Sequence, residues 1–434
     1  MSRRKAIWHR QSIVQRRNRD LRWECQHFRL RFVLPLWTVF SILGVKIAEE
    51  FQLSSTELGL LMATPILTGS VSRLFLGIAS DYFGGRTVFA VVMLLSSGSA
   101  WLLSLSHSYY LLLLCALGIG LAGGSFVVGV AYVSAWFKKN QQGTALGIFG
   151  AGNVGSSVTS LCMPMLLLIM DWRSAVQIYA IILATAGVGF YFLAKNEQRE
   201  RPREQVSIYS QLHPLKEVRV WRFSLYYFFV FGAFVALALW LPQYTIGVFD
   251  VSLAQAGLIA GLYTVPGSLF RILGGILSDR YGARKVMYWT FIASVVCAFI
   301  LSYPNTHYSV EGIRGVINFS LETNVYQFAV ICIVLGFFMS LGKAAVFKHI
   351  PVYYPNNVGV VSGAVGMVGG LGGFFLPLTF GMLNDLVGVW QTCFMLLFVL
   401  CSLALTWMHF AIRKSESKEW RSGRTENDLP ELTE

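Results

Sequence analysis

Two arginines, Arg73 and Arg271, stand inside stretches of about twenty residues that are otherwise almost wholly apolar. Each lies eight residues before an aspartate, Asp81 and Asp279. On a helix, eight residues span ~12 Å, which puts both guanidiniums near the middle of a ~30 Å hydrocarbon layer. Burying an arginine at that depth costs about 2.5–3.5 kcal/mol, so it must face a partner or a wet cavity. An internal salt bridge is the plain alternative, but no Asp or Glu falls near mid-depth in any apolar segment. Glu49 and Glu50 sit at a segment end, and Asp81 and Asp279 at a rim. Two unmatched guanidiniums imply that an anion completes the site. Their planar, forked donors suit a small planar oxyanion better than an ammonium group would.

The chain that must position them has 434 residues, 55% hydrophobic and only 13% charged. Its mean hydropathy is +0.57. These values exclude a soluble globule, a disordered chain and a small disulfide scaffold. Apolar segments recur at 30–48, 57–79, 87–106, 109–135, 144–169, 173–194, 222–247, 255–278, 286–304, 325–347, 357–384 and 389–412. That is an all-α membrane protein with twelve transmembrane helices.

The formal net charge of +13 is mostly topology. Ten of the 35 basic residues fall in the first 31 positions, where only Asp20 and Glu24 oppose them. The tail has no zinc spacing and no recognition helix, so nucleic acid is not its partner. Its charged region is too long for a signal peptide, and no small-residue cleavage site follows. Alternate loops carry most of the remaining basic residues, whereas the opposite loops hold only Lys46, Arg173 and Arg314. That asymmetry places both termini in the cytoplasm, in a plasma (inner) membrane.

The chain therefore divides into a basic tail (1–29), a six-helix bundle (30–194), a central cytoplasmic loop (195–221), a second six-helix bundle (222–412) and a C-terminal tail (413–434). Seven cysteines, at no metal-ligand spacing, read as packing residues. No cofactor or metal is expected. Asn318-Phe319-Ser320 is a formal sequon in an outer loop.

The arginines belong to an internal repeat. Residues 69–86 align with 267–284 at an offset of 198, with nine identities in eighteen positions. These include Gly77/Gly275, Asp81/Asp279 and Arg86/Arg284. An offset of six helices keeps both halves in the same membrane orientation. That is the parallel-repeat plan of the major facilitator superfamily, and the Gly-x-x-x-Asp-x-x-Gly-x-Arg stretch resembles its cytoplasmic gating motif. The glycines let helices approach, and the aspartates are expected to latch to nearby arginines and to a helix N-terminus.

A second repeat, at an offset of 216–217, superposes glycines of segments five and eleven. Segment five carries Gly147, Gly150, Gly152 and Gly155; segment eleven carries Gly363, Gly366, Gly369, Gly370, Gly372 and Gly373. Gly150-Ala151-Gly152-Asn153-Val154-Gly155 and Gly118 to Gly123 match a dinucleotide fingerprint in form. Both lie within helix-length apolar runs with no preceding strand, so they serve helix packing instead. A surface so poor in side chains suggests a narrow passage for a small substrate.

Gly123-Gly124-Ser125-Phe126, Trp136-Phe137, Gln142-Gly143 and Gly147 to Gly155 resemble the signature of the nitrate/nitrite porter family. The glycine run of segment eleven resembles its second signature. The resemblance implies a carrier of nitrate or nitrite working by alternating access, as a monomer and not as an enzyme. It also implies that Phe126, Asn153, Tyr227 and Phe231 line the anion site with Arg73 and Arg271.

The absence of a membrane carboxylate favours anion exchange. The chain's shortness and the stretch from Gly342 to Pro351 resemble the branch thought to couple nitrate uptake to protons. Lys343, in that stretch, reads first as a lysine snorkelling to the cytoplasmic rim and second as a possible coupling group. Two rival functions remain. One is a carrier of a larger organic anion or phosphate ester, which would want a roomier, more cationic pocket. The other is a membrane sensor, which would want a large soluble output domain.

Overall fold

A computed structural model describes residues 55–152, 169–194, 212–313 and 315–421, with a few positions among 43–53 and 166–167. The tails 1–29 and 422–434, most of segment one, the second part of segment five with Asn153 and Gly155, and Arg314 lie outside the described residues.

Segments two to twelve each form a helix, labelled one number behind its segment. They are α1 (Ser55–Phe83), α2 (Gly85–Ser104), α3 (Tyr109–Ser134), α4 (Gln142–Ala151), α5 (Trp172–Leu193), α6 (Val218–Phe249), α7 (Leu253–Tyr281), α8 (Ala283–Ser302), α9 (Val325–Tyr353), α10 (Val358–Val387) and α11 (Thr392–Arg421). Among the described residues, nine helices are long and apolar enough to cross a membrane. Several run past the hydropathic limits; α9, for example, continues six residues beyond 347 to Tyr353. Hydropathy registers only the apolar core, whereas the backbone keeps its hydrogen-bond ladder through the polar rim.

Local chemistry sets the helix ends. Ser108 and Asp171 cap α3 and α5 by accepting the amides of Leu111 and Ser174. Reciprocal boxes, Ser252 with Gln255 and Asn324 with Gln327, open α7 and α9. Gly84 and Gly282, repeat partners, make the one-residue turns after α1 and α7 at φ of 85° and 86°. Only glycine adopts that left-handed backbone without strain, which is why the repeat places it there twice.

The all-α expectation omits one element. Between α8 and α9, β1 (Thr306–Gly312) pairs antiparallel with β2 (Gly315–Leu321), from Thr306 opposite Leu321 to Gly312 opposite Gly315. Polar and apolar residues largely alternate along it, and β2 is exposed throughout, a pattern that a helix-length hydropathy window averages away. The sequon residue Asn318 lies on β2, opposite Ser309.

The two halves meet through equivalent pairs. Helix α1 packs along α10, and α7 along α4. A Cβ on Gly77 would strike the Gly359 carbonyl, and one on Gly275 the Gly143 carbonyl. At the same end, the Gly359 and Val360 amides that open α10 donate to the Asp81 carboxylate at 3.1 and 2.8 Å. The Gly143 and Thr144 amides that open α4 donate to Asp279 at 2.9 and 2.6 Å. Each aspartate thus clamps a helix N-terminus of the opposite half, where the dipole favours negative charge. The cation at Asp279 is Lys348 of α9, whose Nζ lies 2.6 Å from Oδ1. Arg284 instead donates to the Tyr353 hydroxyl at 2.8 Å, and Arg86 to the Tyr191 carbonyl at 2.7 Å.

Candidate functional site

Arg73 is the nineteenth residue of the 29-residue α1, and Arg271 the nineteenth of the 29-residue α7. The repeat in sequence therefore becomes equality of depth. Both side chains are buried, at 8% and 1% exposure, and neither pairs with a carboxylate among the described residues.

Each rests on an aromatic ring of the opposite half. The Arg73 guanidinium lies over the ring of Phe231, 5.2 Å from its centroid. Arg271 lies over Phe126 at 4.8 Å. The quadrupole of an aromatic face attracts a cation and leaves its N–H donors available at the edge. Arg73 Nη1 donates to the Gly366 carbonyl of α10 at 2.6 Å, and its Nε to the Gly123 carbonyl at 3.4 Å. Arg271 Nε and Nη1 are buried and have no hydrogen-bond partner among the described residues.

The aromatics form one chain of contacts from arginine to arginine. Phe231 stacks on Tyr227, with centroids 5.0 Å apart and planes 6° from parallel. Tyr227 stands edge-on to Phe347 at 4.6 Å, and Phe347 edge-on to Phe126 at 5.3 Å. A π turn at Phe228–Ala233 makes part of this possible. The wider turn changes the register of α6 while Gly232 approaches Gly372 of α10.

The glycine layers give the arginines room. A Cβ on Gly147 would lie 2.7 Å from the Arg271 carbonyl, and one on Gly363 at 2.7 Å from the Arg73 carbonyl. A Cβ on Gly150 would meet Arg271 Cδ and Cζ at 2.5 Å. One on Gly366 would lie 3.2 Å from Arg73 Cδ, and one on Gly370 at 2.9 Å from its Nη1. Gly369 approaches Tyr227, Gly372 approaches Phe228, and Gly373 approaches Val235. Gly152 follows α4 directly, whereas Asn153 and Gly155 lie outside the described residues.

Two residues differ from the sequence reading. Lys343 does not snorkel to a rim. It is buried, with Nζ 2.9 Å from the centroid of the Phe234 ring. Residues five positions apart on α9 explain this, because Lys348 takes the rim role through Asp279. Phe347 was not singled out, yet it touches both Phe126 and Tyr227 and lies 5.8 Å from the Arg271 guanidinium. Its only signal in sequence is its place one helical turn after Lys343. The arrangement offers a small anion forked donors from one or both sides, between apolar ring faces that exclude larger solutes.

A family model described as Major Facilitator Superfamily matches residues 32–306 and 248–432. The chain is 43% identical over 398 residues to the "Probable nitrate/nitrite antiporter NarK1" of Thermus thermophilus, covering 88% of this chain and 89% of that protein. It is 31% identical over 384 residues to the "Probable nitrate transporter NarT" of Staphylococcus haemolyticus, covering 88% and 94%. It is 30% identical over 391 residues to the "Nitrite extrusion protein" of Bacillus subtilis, covering 89% and 94%. Among solved structures, it is similar to the human organic anion transporter MFSD10, with a TM-score of 0.66 at 16% identity over 89% of this chain and 97% of that one. The Escherichia coli fucose:proton symporter FucP gives a TM-score of 0.66 at 14% identity, over 88% and 98%. At such identities these two structures share the fold alone.

Proposed function

Since the chain belongs to the nitrate/nitrite porter family of the major facilitator superfamily, we propose that it carries nitrate or nitrite across the membrane by alternating access. The observation that supports this most is the pair of buried arginines, one from each half, each lying over an aromatic of the other half and neither matched by a carboxylate. In this reading Arg73, Arg271, Phe126, Tyr227 and Phe231 hold the anion, and Asn153 contributes an amide. A monovalent anion between the guanidiniums reduces their repulsion, which in a low dielectric opposes closure of the empty cavity. The loaded carrier rocks; the empty one resists. Release of the Asp81 and Asp279 clamps from the N-termini of α10 and α4 then opens that end. The excess of basic residues favours a cytoplasmic position for that end and for both termini, and in this reading the protein works as a monomer in a plasma membrane.

Proton-coupled uptake is the first driving mode. Lys343 is the group on which it would turn, because a desolvated lysine exchanges its proton near neutral pH more readily than an arginine does. Anion exchange is the second mode, favoured by the lack of any carboxylate against either arginine among the described residues. Purified protein in liposomes with labelled nitrate separates them. Uphill uptake driven by a pH gradient alone, lost in Lys343→Met, supports symport. Uptake only against trapped nitrite supports exchange. Failure to move nitrate or nitrite under either condition refutes the assignment.

A further inference from the structure

The end of the bundle that carries the aspartate clamps holds a second cationic cavity, away from the arginine pair. It is a cavity of about 420 Å³ where the first turns of α6 and α8 meet the last turns of α9 and α11. Arg219, Arg222, Arg284 and Lys414 line it, with His349 at its wall. Among the described residues no Asp or Glu lines it. Arg219 lies over the Tyr353 ring at 4.5 Å, Arg222 over Phe223 at 5.9 Å, and Arg284 donates to the Tyr353 hydroxyl. Aromatic faces hold cations in place without cancelling their charge. Arg222 Nε is buried and has no hydrogen-bond partner among the described residues. Glu217, just before α6, lines the neighbouring cavity and accepts the Tyr354 hydroxyl at 2.6 Å.

Four cations converging with one orphaned guanidinium nitrogen make an oxyanion site. Its size and spread of donors suit a tetrahedral phosphate. Its rim tells which phosphate. Val218 and Phe410 are exposed at 66% and 67%, and Trp407 is exposed beside them. Such residues on the outside of a membrane bundle face lipid, with tryptophan at headgroup level. A cationic pocket with an apolar lip at that depth fits the headgroup of an anionic phospholipid. We propose that this cavity binds a phosphate group, supplied by an anionic phospholipid that enters from the side between α6 and α11.

Native mass spectrometry of the full-length protein, delipidated in nonionic detergent, tests this. The probes are dioleoyl-phosphatidylglycerol, dioleoyl-phosphatidylcholine and inorganic phosphate, offered separately. The expected result is retention of phosphatidylglycerol over phosphatidylcholine, falling about fivefold in Arg222→Gln and in Lys414→Gln. Lys414 is exposed, so its replacement leaves folding intact and keeps the test decisive if the Arg222 variant is unstable. Binding of inorganic phosphate that displaces the lipid and weakens in the same variants supports the phosphate site and makes the free ion a competent occupant. Equal retention of the two lipids without phosphate binding overturns the proposal, as does a preference for phosphatidylglycerol unchanged in both variants.

Discussion

Arg73 and Arg271 occupy the same position of the same helix in two copies of one repeat, and their surroundings differ. Arg73 donates to two backbone carbonyls, Gly366 and Gly123, and rests on one ring, Phe231. Arg271 rests between two rings, Phe126 and Phe347, and keeps two buried nitrogens without partners among the described residues. It also shares its half with the buried amine of Lys343. The first arginine is therefore largely satisfied by the protein. The second has donors to give, so it has the greater need of an anion. Internal symmetry has set equal depth, and the neighbours have divided the labour.

The largest expected effect follows from that division. Arg271→Lys removes the forked donors that the protein does not use, and labelled-nitrate transport in liposomes is expected to fall about a hundredfold, roughly 3 kcal/mol. Arg73→Lys is expected to cost about tenfold, because some of what it loses is bonding to carbonyls. Equal losses would remove the asymmetry; normal transport by both would remove the site.

The clamps come next. Asp279→Asn leaves Lys348 buried without a counter-charge, at a cost of about 2 kcal/mol in thermal stability. Adding Lys348→Met is expected to recover much of it. A double variant no more stable than the single one would show that the pair is not a unit.

Gly150→Ala sharpens the comparison. Its methyl would lie 2.5 Å from Arg271 Cδ and Cζ, so the buried side chain must shift and transport is expected to fall about tenfold. Gly366→Ala, whose methyl meets Val127 at 3.0 Å and Arg73 Cδ at 3.2 Å, is expected to cost about threefold. The reverse order in the same assay would count against the roles given to the two arginines. An effect on binding more than on rate is that of Phe347→Leu, which removes two edge-to-face contacts worth about 1 kcal/mol. A several-fold rise in the KM for nitrate, with little change in maximal rate, is the expected reading.

Much of this was legible in one dimension. The depth of the arginines follows from counting back from Asp81 and Asp279, and the partnership of segments five and eleven follows from their glycine offset. The clamping of each aspartate onto a helix N-terminus was also foreseeable, because a carboxylate at a glycine-rich crossing has few other stable partners. The identity of the cation at Asp279 was not. Lys348 reaches it from α9, about seventy residues away in sequence. The π turn in α6 and the exposed hairpin also escaped, since neither changes average hydropathy.

Composition, charge asymmetry and the two repeats by themselves determine a two-half helical membrane carrier with one arginine at equal depth in each half. The reason is that solvent transfer and helix geometry act on residue type and spacing, both of which a sequence records. Only the tertiary structure decided that each arginine lies over the other half's aromatic, that Phe347 joins the two, and that Lys343 turns inward while Lys348 takes the rim. Those choices depend on helix rotation and on contacts between residues tens to hundreds apart, and packing alone sets them.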